Sequence, residues 1–436
     1  MNQKYFSVNI RLLVIVIQLL TISNAGQTAQ NENKIITLNY SQRMRIEMWD
    51  NTIGLSKALA AGSSYLRNRS SLSLSFNPKI DVNITLKITN ELRYYTVPES
   101  RGFEFDEVFF DLLFLNWKNI FNSPVTLTAG RQNISLGEGF VVMDGGPLDG
   151  SRSGYFNALR LDWNQANKGK LTAFYFFQPA RDQYLPIINN LQKNLIEHHE
   201  EGFGINYKYI IKQGEIDGYI IRKSIRSIST PTQTARIWTP GFRMQNRFLN
   251  SLLLCAEAAY QLGTWNTKPM QSYGGYFYGE YTLPNLCYLP RKITLGSVLL
   301  SGDNLNTEKY EGWDPLFSRW PKWSESYIYE LVKEAGPAYW TNFASLFVKI
   351  ATDITGDVML TIDYHHLIAP EHRSTYTPFP GGKGKTRGEL IIGKISYAPQ
   401  DYLSGHVILE YFNPGNYYFS GADSYTWIRF ETLLNF

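Results

Sequence analysis

Four stretches of the chain carry residue types that do chemistry. In TIDYHHLIA, His365 and His366 are adjacent and Asp363 shares the face of His365 on an extended strand. Ser, His and an Asp or Asn would make a hydrolase, but no second stretch supplies a nucleophile, so a structural or pore-rim pair is the simpler reading. NLIEHHEEG sets His198 and His199 among Glu197, Glu200 and Glu201; a metal could bind there, and a solvated charged loop has the same composition. SGDNLNTEKYEGWDPLF at 301–317 offers Asp303, Asn304, Asn306, Glu308 and Asp314, hard oxygen ligands suited to calcium, in a spacing that fits no EF-hand. PFPGGKGKTRGE at 378–389 imitates a phosphate loop, yet Phe379 stands where the motif needs its first Gly, and RGELIIGKISY continues as a strand. None of these calls for a cofactor.

The remaining chemistry is charge, and its placement follows from strand periodicity. In KIDVNITLKITNELRYY, Val82, Ile84, Leu86 and Ile88 alternate with Asp81, Asn83, Thr85, Lys87, Thr89, Glu91 and Arg93. Successive side chains on a strand point to opposite faces, so one face can meet lipid and the other meets water or a partner charge. ITLNYSQRMRIEMW and SYLRNRSSLSLSF behave alike, setting Arg43 and Arg45, then Arg67 and Arg69, on the polar face. Later strands add Arg160, Lys208, Arg243 and Arg429, while Glu47, Asp81, Glu91, Glu107, Asp111, Asp162, Glu410 and Glu431 face the same way. Rings of charged side chains set selectivity in a pore, with Arg and Lys favouring anions. The arginines clustered in the first three strands point toward an anionic or hydroxyl-rich permeant.

What positions these side chains is strand after strand. The pattern predicts eighteen, at 35–49, 63–76, 79–94, 104–117, 124–134, 153–163, 169–179, 201–211, 214–223, 236–247, 250–262, 270–281, 290–300, 339–350, 356–367, 386–397, 402–412 and 424–436. Short links follow even-numbered strands, among them Asn77 and Pro78 after the second; long ones, including 180–200, 224–235, 301–338 and 368–385, follow odd-numbered strands. Outer-membrane barrels segregate short periplasmic turns from long extracellular loops in this manner. In hydrocarbon an all-strand chain pairs every backbone group only by closing its sheet. The predicted fold is therefore all-β, a transmembrane antiparallel barrel of about eighteen strands, with the last strand paired to the first.

Composition agrees. Aromatic residues make up 15% of the 436, enough for two interfacial girdles. A net charge of +4 gives no case for nucleic acid, and two cysteines, Cys255 and Cys287, give no disulfide framework. Lys4 and Arg11 flank LLVIVIQLLTI, and Ser23, Asn24 and Ala25 suit signal peptidase, so residues 1–25 read as a cleaved signal peptide and 26–436 as the barrel. No Cys stands at that point, which argues against a lipoprotein, and no later apolar run is long enough to span a membrane as a helix. The final strand SYTWIRFETLLNF puts Ile428, Phe430 and Leu434 toward lipid and Phe436 at the periplasmic interface, resembling the terminal aromatic strand that barrel-assembly machinery reads.

AGRQNISLGEGFVVMDGGPLDGSRSGYFNALRLDW, LLSGDNLNTEKYEGWDPLF and YFNPGNYYF with the strand after it resemble the bacterial alginate-export family of outer-membrane porins. The resemblance implies an eighteen-stranded barrel that passes an acidic polysaccharide along inward arginines, and it makes Arg131, Arg152 and Arg160 lumen or loop candidates. The expected path is then Arg43, Arg45, Arg67, Arg69, Lys87, Arg93, Arg131, Arg152, Arg160, Arg243 and Arg429. The expected protein is an outer-membrane channel, without an enzyme's chemistry, for saccharides or acidic polysaccharide export. The other readings are a general porin for uptake of small hydrophilic solutes or sugars, a barrel hydrolase, and a structural or adhesive barrel. Expected partners are outer-membrane lipid, the saccharide or solute, the assembly machinery, and periplasmic secretion proteins.

Overall fold

The computed structural model describes residues 34–436 apart from 52–53, 58–61, 144–155, 167, 190–194, 228–232, 285–289, 320–321, 337, 374 and 377–378. The expected signal peptide, Cys287 and Arg152 lie outside the described residues. Ile35–Asn435 is one compact unit.

Eighteen long strands build it: β1 Ile36–Asp50, β2 Ser63–Lys79, β3 Val82–Val97, β4 Phe103–Trp117, β5 Val125–Gln132, β6 Phe156–Gln165, β7 Gly169–Gln178, β8 His198–Ile211, β9 Gly214–Ser227, β10 Thr234–Phe248, β11 Leu252–Trp265, β12 Lys268–Thr282, β13 Lys292–Leu300, β14 Phe343–Thr355, β15 Val358–Ile368, β16 Thr386–Gln400, β17 Leu403–Pro414 and β18 Tyr425–Asn435. Neighbours pair antiparallel, and β1 pairs with β18 from Ser41 opposite Asn435 to Asp50 opposite Thr426. That pairing closes the barrel. A closed sheet has no free edge, so all its backbone groups are satisfied between strands.

The alternation of types becomes an alternation of environment. On β18, Tyr425, Trp427 and Arg429 are buried inside while Ile428 and Phe430 lie on the other face. The outward rows are apolar and end in aromatics: Trp117, Trp163, Tyr209, Phe248 and Tyr281 at one rim, Tyr94, Phe103, Phe203, Trp238 and Tyr411 at the other. These are the two girdles expected of a barrel in a bilayer.

Loop length largely follows parity, and the clearest departures flank β12. Asn266 and Thr267 alone join β11 to β12 on the long-loop side, and residues 283–291 join β12 to β13 on the short side. The turn after β2 falls on Ile80 and Asp81 rather than on Asn77 and Pro78. Pairing slips between Phe76 and Lys79, and such a bulge lets Pro78, which lacks an N–H, remain in the strand. Asp81, expected inside, consequently sits on that turn and accepts from Asn119 at 2.7 Å.

Two long loops fold into the interior. Residues 133–143 and 301–342, the latter with a short 3-10 helix Tyr327–Lys333, contribute Phe140, Val141, Val142, Trp313, Leu316, Tyr327, Leu331 and Trp340 to the buried apolar cluster. They pack on inward residues near the extracellular ends of strands, such as Phe176, Leu300, Leu390, Phe412 and Tyr425. The two loops thereby occupy space inside the extracellular half of the barrel.

Candidate functional site: the charged interior

The first three strands hold their arginines in a register that no local rule favours. Arg45 lies opposite Arg67, Arg67 opposite Arg93, and Arg43 opposite Arg69. Like charges directly across a pair of strands repel, so acids must intervene. Glu91 receives Arg67 at 2.6 Å, Arg69 at 3.3 Å and Arg93 at 3.4 Å. Glu47 receives Arg429 at 3.1 Å and the Tyr65 hydroxyl at 2.7 Å, while Glu431 takes Arg45. Glu47, Glu91, Arg67 and Arg429 are all buried. The lattice ties β1, β2, β3 and β18 together across the closing seam.

A second group of ion pairs fixes the inward loops. Lys223 of β9 meets Asp314 at 3.0 Å and donates to the Leu316 carbonyl at 2.6 Å. Arg387 of β16 grips Glu334 with two bonds, 2.6 and 2.8 Å. Burial would lift the Glu334 carboxyl, yet Arg387 beside it holds it below the usual range. Glu410 accepts from both Ser324 and Ser326 and from the Glu325 N–H. In the other loop Glu138 joins Lys322, the Tyr278 hydroxyl at 2.6 Å and the Cys255 thiol at 3.2 Å. Burial pushes the Glu138 carboxyl up, and Lys322 with these donors overrides it, bringing it down to about 2. A half-satisfied buried network would cost more than an apolar contact; these partners are complementary, so the loops are seated rather than merely enclosed.

Toward the periplasmic end the pairs are layered, with the acid at the wall and the base over it. Lys87 reaches Asp111 at 2.7 Å, and their side chains are 31% and 4% exposed. Lys170 covers Asp162 at 2.9 Å, 41% against 5% exposed. Lys349 covers Asp363 at 3.3 Å, 43% against 17%. Arg160 also reaches Asp162, at 3.0 Å. Water in this half of the lumen therefore meets ammonium and guanidinium groups more than carboxylates.

The expected path residues separate into three groups. Lys87 and Arg160 are partly exposed in the interior, with Arg69 and Arg93 more sheltered. Arg45, Arg67, Arg243 and Arg429 are buried, Arg243 against Glu215 at 2.5 Å and Asp217 at 3.0 Å; Arg43 stands beside them on β1, opposite Arg69. Arg131 is elsewhere. It shares the outward row of Leu127 and Ala129 and pairs at 2.7 Å with Asp182 of the loop after β7, both side chains buried. Strand alternation puts it there; Gly130, at φ 122°, sits where a Cβ would lie 2.9 Å from the Phe114 Cα, and beyond Arg131 β5 loses β4 while staying paired with β6 to Gln132. Past that point Ile187–Ile188 pairs on β4 at Val108 and Phe109. Arg131 and Asp182 seal this seam and do not line water.

The histidines part company too. His365 faces inward, its Nδ1 3.1 Å from the Ser345 hydroxyl, whereas His366 occupies the outward row beside Glu389 at 2.6 Å. Asp363 is engaged by Lys349. The Ser345 contact spans two strands and has no signal in local sequence. Among the described residues no three His, Cys, Asp or Glu side chains converge as a metal site.

Comparison with known proteins places the chain. The sequence profile described as alginate export matches residues 36–366. The chain belongs to the alginate export family. No curated protein matches it. Its barrel is similar to the crystal structure of OccD3 (OpdP) of Pseudomonas aeruginosa, with TM-score 0.56 and 10% identity over 94% of this chain and 93% of that one. OccK2 (OpdF) of Pseudomonas aeruginosa in complex with glucuronate gives 0.56 and 12% over 92% and 97%. OccAB2 of Acinetobacter baumannii gives 0.57 and 9% over 94% and 99%. At such identities the likeness is one of fold. The family member described here is an outer-membrane channel for saccharides or small solutes.

Proposed function

We propose that this channel passes an acidic saccharide outward, with the basic caps of the periplasmic half as its attracting surface. The observation that carries this reading is the layering of Lys87 over Asp111, Lys170 over Asp162 and Lys349 over Asp363, which presents cations to water and holds the carboxylates at the wall. A uronate passing from one cap to the next would exchange part of its hydration for several weak contacts, the condition for entry and release in a pore. Arg160, which also reaches Asp162, extends the same surface. Membership of the alginate export family supports the substrate class, and the similar barrel of OccK2 was solved with glucuronate, itself a uronate. No covalent step is required.

The two loops inside the extracellular half favour a second reading, passage of small solutes only, since a polymer needs a wider exit. Planar-bilayer conductance titrated with oligouronates and with neutral oligosaccharides of equal length separates them. Block by oligouronates added on the periplasmic side, with little by the neutral series, is the expected result; equal block by both removes the acidic-saccharide reading. Absence of conductance under all conditions removes both.

A further inference from the structure

We infer that the outward face of β9 and β10 at the extracellular rim is a binding surface for the phosphates of an outer-leaflet glycolipid, held by Arg222, Arg226 and Arg236. The inward row here is Ile221, Lys223 and Ile225, all buried, so Arg222 and Arg226 face outward by alternation. Arg236 lies opposite Ser224, between the levels of the other two, and is exposed. Three guanidinium groups thus occupy adjacent outward positions of two paired strands.

Their height is fixed by what lies beside them. Arg222 is in register with Phe203 of β8 on one side and Trp238 of β10 on the other, with its guanidinium carbon 5.6 and 5.8 Å from the two ring centroids. Those rings belong to the extracellular aromatic girdle, and below them the outward row turns to Ile205, Ile220 and Phe242. An arginine on the lipid face is tolerated near the interface and costs more toward the midplane. The trio therefore stands where headgroups begin, with the Arg222 guanidinium within cation–π reach of both rings.

Nothing described on the protein neutralises them. None of the three has a carboxylate within salt-bridge distance among the described residues, and the Arg222 Nε is buried without an acceptor. The outward carboxylate nearest in register is Glu201, opposite Ser224, and it accepts from the Tyr175 hydroxyl at 3.0 Å. Around them stand His199, opposite Arg226, and Thr264, opposite Arg236. A guanidinium matches a phosphate with two parallel N–H donors. A glycolipid bearing phosphates on its sugar headgroup supplies acceptors at this height and acyl chains for the apolar rows below.

The test uses the folded full-length barrel in detergent, incubated with diphosphorylated lipid A, with dephosphorylated lipid A and with phosphatidylglycerol, and bound lipid counted by native mass spectrometry. Binding of the diphosphorylated form should exceed that of the dephosphorylated form by about tenfold or more, the effect of one good charge-assisted contact. Phosphatidylglycerol should fall between. Equal occupancy by the two lipid A forms would overturn the inference, and this comparison needs no variant. An Arg222→Gln, Arg226→Gln, Arg236→Gln triple variant should erase the phosphate preference while leaving single-channel conductance unchanged; an undiminished preference in a variant that conducts normally would equally overturn it.

Discussion

The two halves of the lumen solve the same problem, charged side chains inside a barrel, in opposite ways. In the extracellular half the charges are spent on the protein: Lys223 on Asp314 and Arg387 on Glu334, each pair buried and each joining a strand to an inward loop. In the periplasmic half the pairs remain on the wall, and the cation of each is the more exposed member. An ion pair stripped of water holds two elements together because losing one partner strands the other, whereas a hydrated pair contributes little to stability and is free to meet a solute. Identical residue types thus serve as fastening at one end and as a selective surface at the other.

The largest break in this contrast should come from the fastening. Arg387→Met leaves the buried Glu334 with the Tyr417 hydroxyl and the more distant Arg373 in place of its two-bond partner, a loss of up to about 3–5 kcal/mol, and should unseat residues 301–342. Single-channel conductance should rise; unchanged conductance in a folded variant would mean that this loop is not the obstacle. Arg131→Met should cost a comparable amount by stranding Asp182, lowering the thermal midpoint while ion selectivity stays at the wild-type value, because the pair seals the β4–β5 seam. A change of selectivity would return Arg131 to the lumen.

The exposed half should respond in selectivity instead. Replacing Lys87, Lys170 and Lys349 by Gln uncovers Asp111, Asp162 and Asp363 and should shift reversal potentials toward cation preference. At about 1 kcal/mol per charge at 4 Å in water, each site is worth a factor of roughly five in local ion concentration. Stability should barely move. The smallest effect is that of pH on the loop 133–143. Because the Glu138 carboxyl is lowered from 4.5 to about 2 in the folded channel, its contribution to loop docking is complete above pH 4.5 and is lost as the pH falls from there toward about 2. Thermal stability should therefore decline over that window, and Lys322→Met should flatten the decline.

Local sequence carried most of the barrel, since a period of two with a lipid face and a water face is a strictly local signal. Arg43, Arg45, Arg67 and Arg69 could be placed inside from their apolar neighbours alone, and the last strand could be matched to the first because a barrel in lipid must close. The pattern fails at the bulge before Lys79, which moved the turn and Asp81, and it could not show that Arg131, outward by alternation, would meet Asp182 on a buried seam. Glu138 and Ser324, on irregular loop segments, offered no periodicity to read.

By itself, then, the sequence determined the closed sheet, its strand number and the face on which the charges of regular strands lie. Only the tertiary structure decided which charges still meet water. That outcome depends on pairs between residues far apart in the chain, such as Arg429 with Glu47 and Lys223 with Asp314, and on two loops folding inward. Side-chain direction is set by the neighbouring residue; desolvation is set by whatever else arrives in the same volume.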